Sequence, residues 1–293
     1  MVRGLEKEES VMGELRERFQ RHMRLKGLAD KTRDSYERAL LDLTREYKVA
    51  PDTLSNGQIQ AHLDHLLQKK HLAWATMNVR VSALRLFYGE ILKRPVAEFS
   101  LPPRGRSKKR PVVLSRDTVR RILETPASLK HRALLTLVYG SGLRVSEVVR
   151  LKPRHIESSP ERMMVRVEQG KGRKDRYTLL SRRSLKLLRD YWRKYQPTDW
   201  LFFGFDRSKP MSIGTAQMIY KKAYKKAGQN NLHGIHGLRH AFATHLLEQG
   251  TDLLVIKRCL GHSALSTTAQ YCHLSAAHFR NVRSPADTLF EKV

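Results

Sequence analysis

Cysteine and long apolar runs are scarce in this sequence. Only two of its 293 residues are cysteine, Cys259 and Cys272, which excludes a disulfide framework or a four-cysteine zinc site and favours a reducing environment. No apolar run approaches the ~20 residues that are needed to cross a membrane. The N-terminus is charged and helical in pattern, which is not typical of a signal peptide. We therefore expect a soluble, cytoplasmic protein with no membrane partner.

Acidic side chains are also few relative to basic ones. The sequence has 56 Lys and Arg against 28 Asp and Glu, a formal net charge of +28. An excess of this size indicates a polyanionic partner, either nucleic acid or an anionic membrane surface. Nucleic acid is favoured because the positive charge is interleaved through structured-looking sequence and no amphipathic anchor helix is evident. The alternative is that the basic residues serve solubility alone.

The distribution of charge and proline divides the chain into two domains. Residues 96–112, VAEFSLPPRGRSKKRPV, combine two consecutive prolines with a net charge of +4. This composition predicts an extended linker between a domain over 1–95 (+5) and a domain over 113–293 (+19). A basic linker could lie along a phosphate backbone, or it could be a solvated hinge. Its candidate DNA-contacting residues are Arg104, Arg106, Lys108, Lys109 and Arg110.

The first domain is predicted to be a bundle of four or five helices, and nothing in it resembles a catalytic constellation. Apolar side chains recur there at helical spacing, and Pro95 ends the pattern. Three of the expected helices cover 11–26, 56–69 and 74–92. A further helix is expected to begin after an N-cap at Asp30. Their apolar faces include Leu15, Phe19, Met23, Leu25, Leu40, Leu41 and Leu43.

The second domain is predicted to mix helices with a β-hairpin. Its pattern changes to short strands over 163–167 and 177–180, on either side of a glycine-containing turn. The expected helices cover 115–124 after a Ser115 cap, 130–138, 144–151, and most of the chain after the hairpin except an interruption over 197–210. The whole protein is therefore expected to be mainly α-helical, of α+β class.

Two motifs supply cations that suit a phosphate. In GLRVSE, a glycine break delivers Arg144 to the first turn of a helix, beside free backbone N–H groups. Glu147 could orient Arg144 or a neighbouring histidine, although a surface ion pair is the alternative. Lys171, on the hairpin turn with Arg173 and Lys174, could donate a proton to a phosphate oxygen, although a solvent-exposed basic turn would look the same.

A third motif, HGIHGLRH, places histidine and arginine on one helix face. His236 and Arg239 are three apart, so an imidazole and a guanidinium could converge on one anion. His236 and His240 are four apart, which is the spacing of a metal-binding pair. However, the acid of the H-E-x-x-H pattern is absent, and the intervening arginine repels a cation. We therefore expect no metal site.

A fourth motif brings an imidazole and a phenol into one region. Gly261 is expected to end a helix over 252–260, and His262 follows it. A cap at Ser266 or Thr267 would begin a short helix that carries Tyr271, nine residues after His262. A buried structural tyrosine is the alternative and the commoner role.

Together these motifs resemble the tyrosine recombinases, the phage integrase family. The similarity covers residues 11–285 through GLRVSE, GKGRKDR, HGLRHAFATHLL, LGHS and Tyr271, in that order. It implies a SAM-like helical core-binding domain and a catalytic domain that close as a C-shaped clamp around DNA. It also implies site-specific cleavage and rejoining of DNA strands through a 3′-phosphotyrosyl intermediate, with no cofactor, metal or ATP.

The resemblance also implies a role for each candidate residue. Tyr271 would be the nucleophile, and the surrounding cations would favour its phenolate form. Arg144 and Arg239 would hold the non-bridging phosphate oxygens. Lys171 would be the general acid, and His236 would assist proton transfer at the tyrosine. His262 would hydrogen-bond the phosphate, and Glu147 would support the site.

The biological substrate stays open at this level. The expected partner is double-stranded DNA with paired recombination half-sites. We expect the protein to be a homotetramer on synapsed DNA and a monomer or weak dimer when free. Its expected location is the nucleoid. The tail over 282–287 resembles integron integrases, but the 65 residues from Lys171 to His236 leave no evident room for their insertion. Dimer resolution, integration, transposition and cassette capture all remain. The rival functions are a non-catalytic DNA-binding regulator and a type IB topoisomerase.

Overall fold

Two separate units make up the chain in a computed structural model. The structure describes residues 2–68, 71–95, 99, 113–168, 175–230 and 234–272, with side chains from residue 13 onward. The units are Met1–Lys108 and Lys109–Val293. This division falls within the expected linker, and the domain bounds 1–95, 96–112 and 113–293 stay a prediction.

The first unit is helical, which confirms the predicted bundle. Its helices are α1 (Val2–Leu25), α2 (Asp30–Tyr47), α3 (Asn56–Gln68) and α4 (Trp74–Leu84), with a 3₁₀ turn at Pro51–Thr53 and a π-helical continuation of α4 over Arg85–Ile91. Aromatic rings pack edge to face in its core. The centroid of the Phe87 ring lies 5.4 Å from that of Phe19 and 5.2 Å from that of Tyr88, and the centroids of Tyr88 and Phe99 are 5.6 Å apart. The core of this unit thus includes Phe99, which the sequence analysis placed in the linker.

Three local expectations in the first unit are wrong. Leu25 is 79% exposed because it is the last residue of α1, where the chain turns away through Gly27 at a φ of 66°. Leu41 is 39% exposed, since it lies beside the buried face of α2, whose buried residues are Ala39 and Leu43. Asp30 is the first residue of α2 rather than its N-cap, and Ala29 holds the cap position with no side-chain hydrogen bond.

The second unit packs helices around a small antiparallel sheet. Its strands are β1 (Ile156–Glu157), β2 (Met164–Val167) and β3 (Arg176–Leu179), in the order β1-β2-β3. The β2–β3 register pairs Val165 with Thr178 and confirms the predicted hairpin. Strand β1 was not predicted, because two residues are too few to show an alternating pattern.

Eight helices are described in this unit. They are α5 (Arg116–Glu124), α6 (Leu129–Ser141), α7 (Val145–Val148), α8 (Arg182–Tyr195), α9 (Ile213–Lys226), α10 (His236–Glu248), α11 (Leu253–Leu260) and α12 (Ser266–Ala269), with a 3₁₀ turn at Pro153–His155. The predicted Ser115 cap is confirmed, since its hydroxyl accepts a hydrogen bond from the Thr118 N–H. The predicted interruption over 197–210 is confirmed too, and an antiparallel bridge joins Phe203 to Pro210 there.

Helix α6 lies at the centre of the second unit. Seven of its residues are buried, and it contacts α5, α8, α9 and α10. A second apolar cluster joins α10 and α11 and includes Phe242, Leu260 and Tyr271. Within the described ranges, no helix is both long and apolar enough to cross a membrane.

Candidate active site

A cleft of about 170 Å³ in the second unit gathers five of the six predicted catalytic residues. Its walls come from the chain before α7, the first turn of α10, the end of α11 and the segment around α12. The lining residues are Arg144, His236, Arg239, His240, Gly261, His262, Ser263, Thr267, Gln270 and Tyr271. Residues far apart in the sequence therefore meet on one small concave surface.

Arg144 and Glu147 form a partly buried pair, not a surface ion pair. Arg144 is the N-cap of α7, one residue before the helical turn in which it was predicted. Its backbone N–H donates to Glu147 Oε2 at 2.7 Å, and its Nη1 donates to Oε1 at 2.8 Å. The Arg144 side chain is 22% exposed and that of Glu147 is 7% exposed. The predicted supporting role of Glu147 thus has a geometric basis, and Arg144 keeps one face toward the cleft.

Arg176 of β3 is a second partner of Glu147, and the sequence analysis did not single it out. Its Nη1 and Nη2 donate to the two carboxylate oxygens of Glu147 at 2.8 Å each, and its Nε donates to the Cys259 carbonyl at 3.0 Å. Burial alone would raise the pKa of Glu147, but Arg176 and then Arg144 outweigh it and hold the pKa at about 2. The only sequence signal was its position in the GKGRKDR motif, where it is one cation among several.

Arg239 is buried in the floor of the cleft. Its Nη1 donates to the Gly142 carbonyl and its Nη2 to the Leu260 carbonyl, both at 2.6 Å, and the side chain is 1% exposed. Burial and the neighbouring charge of Arg144 lower the pKa of Arg239 to about 9, so it stays protonated at neutral pH. Glycine suits position 142, because its φ is 60° and a Cβ there would lie 2.3 Å from the Phe242 ring.

His262 sits directly after the αL residue Gly261, which ends α11 as predicted. Its Nε2 lies 3.2 Å from Arg239 Nη2, and its Nδ1 lies 2.9 Å from Thr268 Oγ1. Because a guanidinium can only donate, Nε2 is the acceptor and Nδ1 carries the proton. Burial, with the charges of Arg239 and Arg144, lowers the pKa of His262 to about 4, which leaves the ring neutral at neutral pH.

Tyr271 closes the cleft from the end of α12. The predicted cap at Ser266 or Thr267 is wrong, since Leu265 holds the N-cap position. The Tyr271 side chain is buried, and its hydroxyl lies 3.0 Å from His240 Nδ1. Burial raises the pKa of Tyr271 although Arg239 and Arg144 lower it. The cations thus favour the phenolate as expected, but the desolvation cost is the larger effect and the net pKa of Tyr271 is raised.

His236 begins α10 and lies behind His240 as seen from Tyr271. The two imidazole rings meet edge to face with centroids 4.7 Å apart. Desolvation, with the charges of His240 and Arg239, lowers the pKa of His236 to about 4. His240 is thus the histidine that contacts the phenol, and the sequence analysis considered it only as half of a metal pair.

Several predicted residues lie outside the described residues. They are Lys171, Arg173 and Lys174 of the hairpin turn, and Arg104, Arg106, Lys108, Lys109 and Arg110 of the linker. Among the residues that are described, no group of three or more His, Cys, Asp or Glu side chains is arranged to hold a metal ion.

The arrangement suits nucleophilic attack on a phosphate. Two guanidiniums provide charge and directed N–H groups for a tetrahedral anion, and the imidazoles of His240 and His262 both lie against the phenol. A hydroxyl with a hydrogen-bonded imidazole is the usual pairing of a nucleophile with a base.

Two family profiles and known proteins match the chain over both units. The sequence profile of the Phage integrase family matches residues 113–278, and that of the Phage integrase N-terminal SAM-like domain matches residues 15–98. The chain is 40% identical over 283 residues to the putative integrase/recombinase y4qK of Sinorhizobium fredii, which covers 96% of this chain and 91% of that protein. It is 31% identical over 286 residues to the tyrosine recombinase XerA of Pyrococcus horikoshii, which covers 94% of each.

The fold is also similar to a solved structure. A crystal structure of the XerH site-specific recombinase bound to a palindromic difH substrate matches with a TM-score of 0.68 and 21% identity. The match covers 89% of this chain and 80% of that chain.

Proposed function

The chain belongs to the phage integrase family of tyrosine-type site-specific DNA recombinases, which work through a phosphotyrosine intermediate, and we propose that Tyr271 forms this intermediate. The Tyr271 Oη attacks a scissile phosphate, and its new bond to phosphorus replaces the bond to the 5′-oxygen. A 3′-phosphotyrosyl link and a free 5′-hydroxyl result. The 5′-hydroxyl of a partner strand reverses the step, and because one phosphoester replaces another, no ATP is consumed.

One observation carries this assignment: the Tyr271 hydroxyl shares a cleft with two guanidiniums. Arg144 and Arg239 both line it, and they come from segments almost a hundred residues apart. In the proposal these guanidiniums bind the non-bridging oxygens and stabilise the charge that develops in the transition state. The carbonyl contacts of Arg239 fix the plane of its guanidinium before DNA arrives.

His262 and Lys171 complete the proposed machinery. On DNA binding the neutral His262 ring takes the tautomer with its proton on Nε2, so that Nε2 leaves Arg239 and donates to the phosphate while the Thr268 hydroxyl donates to Nδ1 and orients the ring. Lys171 protonates the leaving 5′-oxygen. Support for Lys171 comes from Arg176, which lies five residues later in the same motif and contacts Glu147, the carboxylate partner of Arg144.

DNA is the substrate, and we propose that four copies act on two paired sites. The chain is similar to proteins named as recombinases and integrases, and the similar XerH structure holds its DNA substrate. The basic linker cations contact phosphates between the core-binding domain (1–95) and the catalytic domain (113–293), and the free protein is a monomer or weak dimer. Binding to chromosomal DNA would associate it with the nucleoid. We expect the protein to exchange strands between two labelled duplexes. We also expect a complex of four subunits with DNA on a sizing column. Relaxation of DNA by a monomer would instead indicate a topoisomerase.

Tyr271→Phe is the direct test of the nucleophile. The DNA trapped covalently on the wild-type protein in cells is sequenced, and that site is built into a nicked suicide duplex. Wild-type protein should form a covalent adduct, whereas Tyr271→Phe should bind the duplex and form none.

A matched control is Tyr139→Phe. Tyr139 is another tyrosine of the same unit whose hydroxyl contacts a histidine ring, at 2.9 Å from His245 Nδ1. This variant should still form the adduct. An adduct on the Tyr271→Phe protein would remove Tyr271 from the reaction, and a wild-type protein that binds DNA without an adduct would indicate a non-catalytic regulator.

A further inference from the structure

We propose that His240 is the catalytic residue that takes the proton of the Tyr271 hydroxyl during cleavage and returns it during rejoining. This inference rests on the proposed role of Tyr271. It changes the assignment made from the sequence, which gave the assisting role to His236.

The geometry points to His240 rather than to the other imidazoles of the cleft. His240 Nδ1 lies 3.0 Å from Tyr271 Oη, which is within direct proton-transfer distance. His262 stacks parallel to the Tyr271 ring with centroids 6.5 Å apart, and both of its ring nitrogens are engaged, by Arg239 and by Thr268. His236 contacts the ring of His240, so it is placed to act on the phenol only through that ring.

The protonation states allow this transfer in both directions. Before cleavage the phenol donates to a His240 Nδ1 that lacks a proton, with the imidazole proton on Nε2. As the Oη–phosphorus bond forms, the phenol proton moves to Nδ1, and Lys171 gives a proton to the leaving 5′-oxygen as the phosphorus–oxygen bond breaks. Rejoining runs both transfers backward: the attacking 5′-hydroxyl returns its proton to Lys171, and His240 returns its proton to the departing phenol.

Burial and charge around Tyr271 and His240 explain why the phenol needs a base and why the imidazole of His240 is enough. The groups that face His240 and Tyr271 are His236 and Arg239 on α10, Arg144 before α7, and His262 after α11. Burial raises the pKa of Tyr271, so the hydroxyl is protonated at neutral pH. Burial and, after it, a proton on His240 lower the pKa of His236 to about 4, so His236 stays neutral beside the imidazolium instead of competing for the same proton.

The first test compares His240→Asn with His240→Ala on the suicide duplex. The asparagine amide can hydrogen-bond the phenol from the position of Nδ1 but cannot take its proton. Both variants should bind the duplex normally and form the adduct at least ~10²-fold more slowly than the wild type, the lower end of the usual contribution of a general base. Full activity in His240→Asn with a loss only in His240→Ala would show that the residue positions the phenol, and would overturn the proposal.

His245→Asn is the matched control for a folding effect. His245 lies on the same helix, is buried, and contacts the Tyr139 hydroxyl in the same way. This variant should cleave like the wild type, and an equal loss would mean that any disrupted tyrosine–histidine pair on α10 impairs the protein.

The second test lowers the pKa of the nucleophile. A 3-fluorotyrosine at position 271 releases its proton more readily, so it should restore part of the adduct formation of His240→Asn while changing the wild-type rate little. The adduct rate of His240→Asn should also keep rising with pH toward the raised pKa of Tyr271, whereas the wild-type rate levels off at lower pH. No rescue and an unchanged pH profile would overturn the proposal, while the wild-type and Tyr271→Phe results test the nucleophile independently.

Discussion

Arg239 illustrates, at the scale of one residue, how a cation is retained in a buried site. Its contacts with two backbone carbonyls and the 3.9 Å between its Nη1 and Glu147 Oε2 offset part of the cost of removing the charge from water. Arg144 has one carboxylate partner and remains 22% exposed. The two proposed phosphate ligands therefore differ: Arg239 is also part of the core, and Arg144 is not.

Substitution of the two arginines should separate activity from stability. Arg144→Ala and Arg239→Ala should each slow adduct formation at least ~10²-fold, the scale of losing one preorganised charge-stabilising group. Arg239→Ala should in addition lower the free energy of unfolding by about 3 kcal/mol, because two buried carbonyls and Glu147 lose a partner. Urea unfolding and single-turnover cleavage measure the two effects. Wild-type-like cleavage by either variant would exclude that arginine from the site.

At the scale of secondary structure, Arg176 and Glu147 join three elements of the second unit. Arg176 belongs to β3, Glu147 belongs to α7, and the Cys259 carbonyl lies near the end of α11. Gly261 packs against the Arg176 side chain so closely that a Cβ at position 261 would lie 2.6 Å from its Cδ. The hairpin that leads to Lys171 is thereby connected to Arg144 on one side and to His262 on the other.

Arg176→Lys should weaken this junction. Lysine keeps the charge but cannot make the paired contact with both carboxylate oxygens, and the loss should cost about 2 kcal/mol of unfolding free energy. The folded pKa of Glu147, about 2, lies below its usual value of 4.5, so its ionisation contributes stability that is complete above pH 4.5 and is lost as the pH falls toward 2. In Arg176→Lys the pKa of Glu147 rises, and less stability should disappear over that range.

Urea unfolding at a series of pH values measures this change. Arg193→Lys is a suitable control, because that arginine pairs with Asp190 on the exposed face of α8. An Arg176→Lys protein with unaltered stability at both ends of the pH range would show that the junction contributes nothing.

For the whole molecule, the dominant property is a net charge of +28, of which +19 lies in residues 113–293. The proposed chemistry uses three of the 56 basic side chains, Arg144, Lys171 and Arg239. The exposed cations among the others are available to neutralise DNA phosphates without reading sequence. Affinity for any duplex should therefore be dominated by counterion release.

This charge predicts a steep dependence of DNA binding on salt. The logarithm of the binding constant should fall linearly with the logarithm of salt concentration, with a slope of ~0.9 for each phosphate contacted. Tyr271→Phe should give the same slope as the wild type, since a phenol hydroxyl neutralises no phosphate. Fluorescence anisotropy with a labelled duplex measures both slopes, and a flat response would contradict a phosphate-dominated interface.

Residue order alone determined the family, the mainly helical fold, the β2–β3 hairpin and the cleft members Arg144, His236, Arg239, His262 and Tyr271. It could do so because apolar periodicity reports helices and strands locally, and because five weak motifs in a set order are specific together. The roles of these residues stay proposals.

Tertiary structure decided what each side chain contacts. The pairing of Arg176 with Glu147 across 29 residues, the contact of Tyr271 with His240 rather than His236, and the burial that raises the pKa of Tyr271 all depend on distances between elements. A hydrogen bond acts over about 3 Å and desolvation depends on every neighbouring atom, so neither can be read from spacing along the chain.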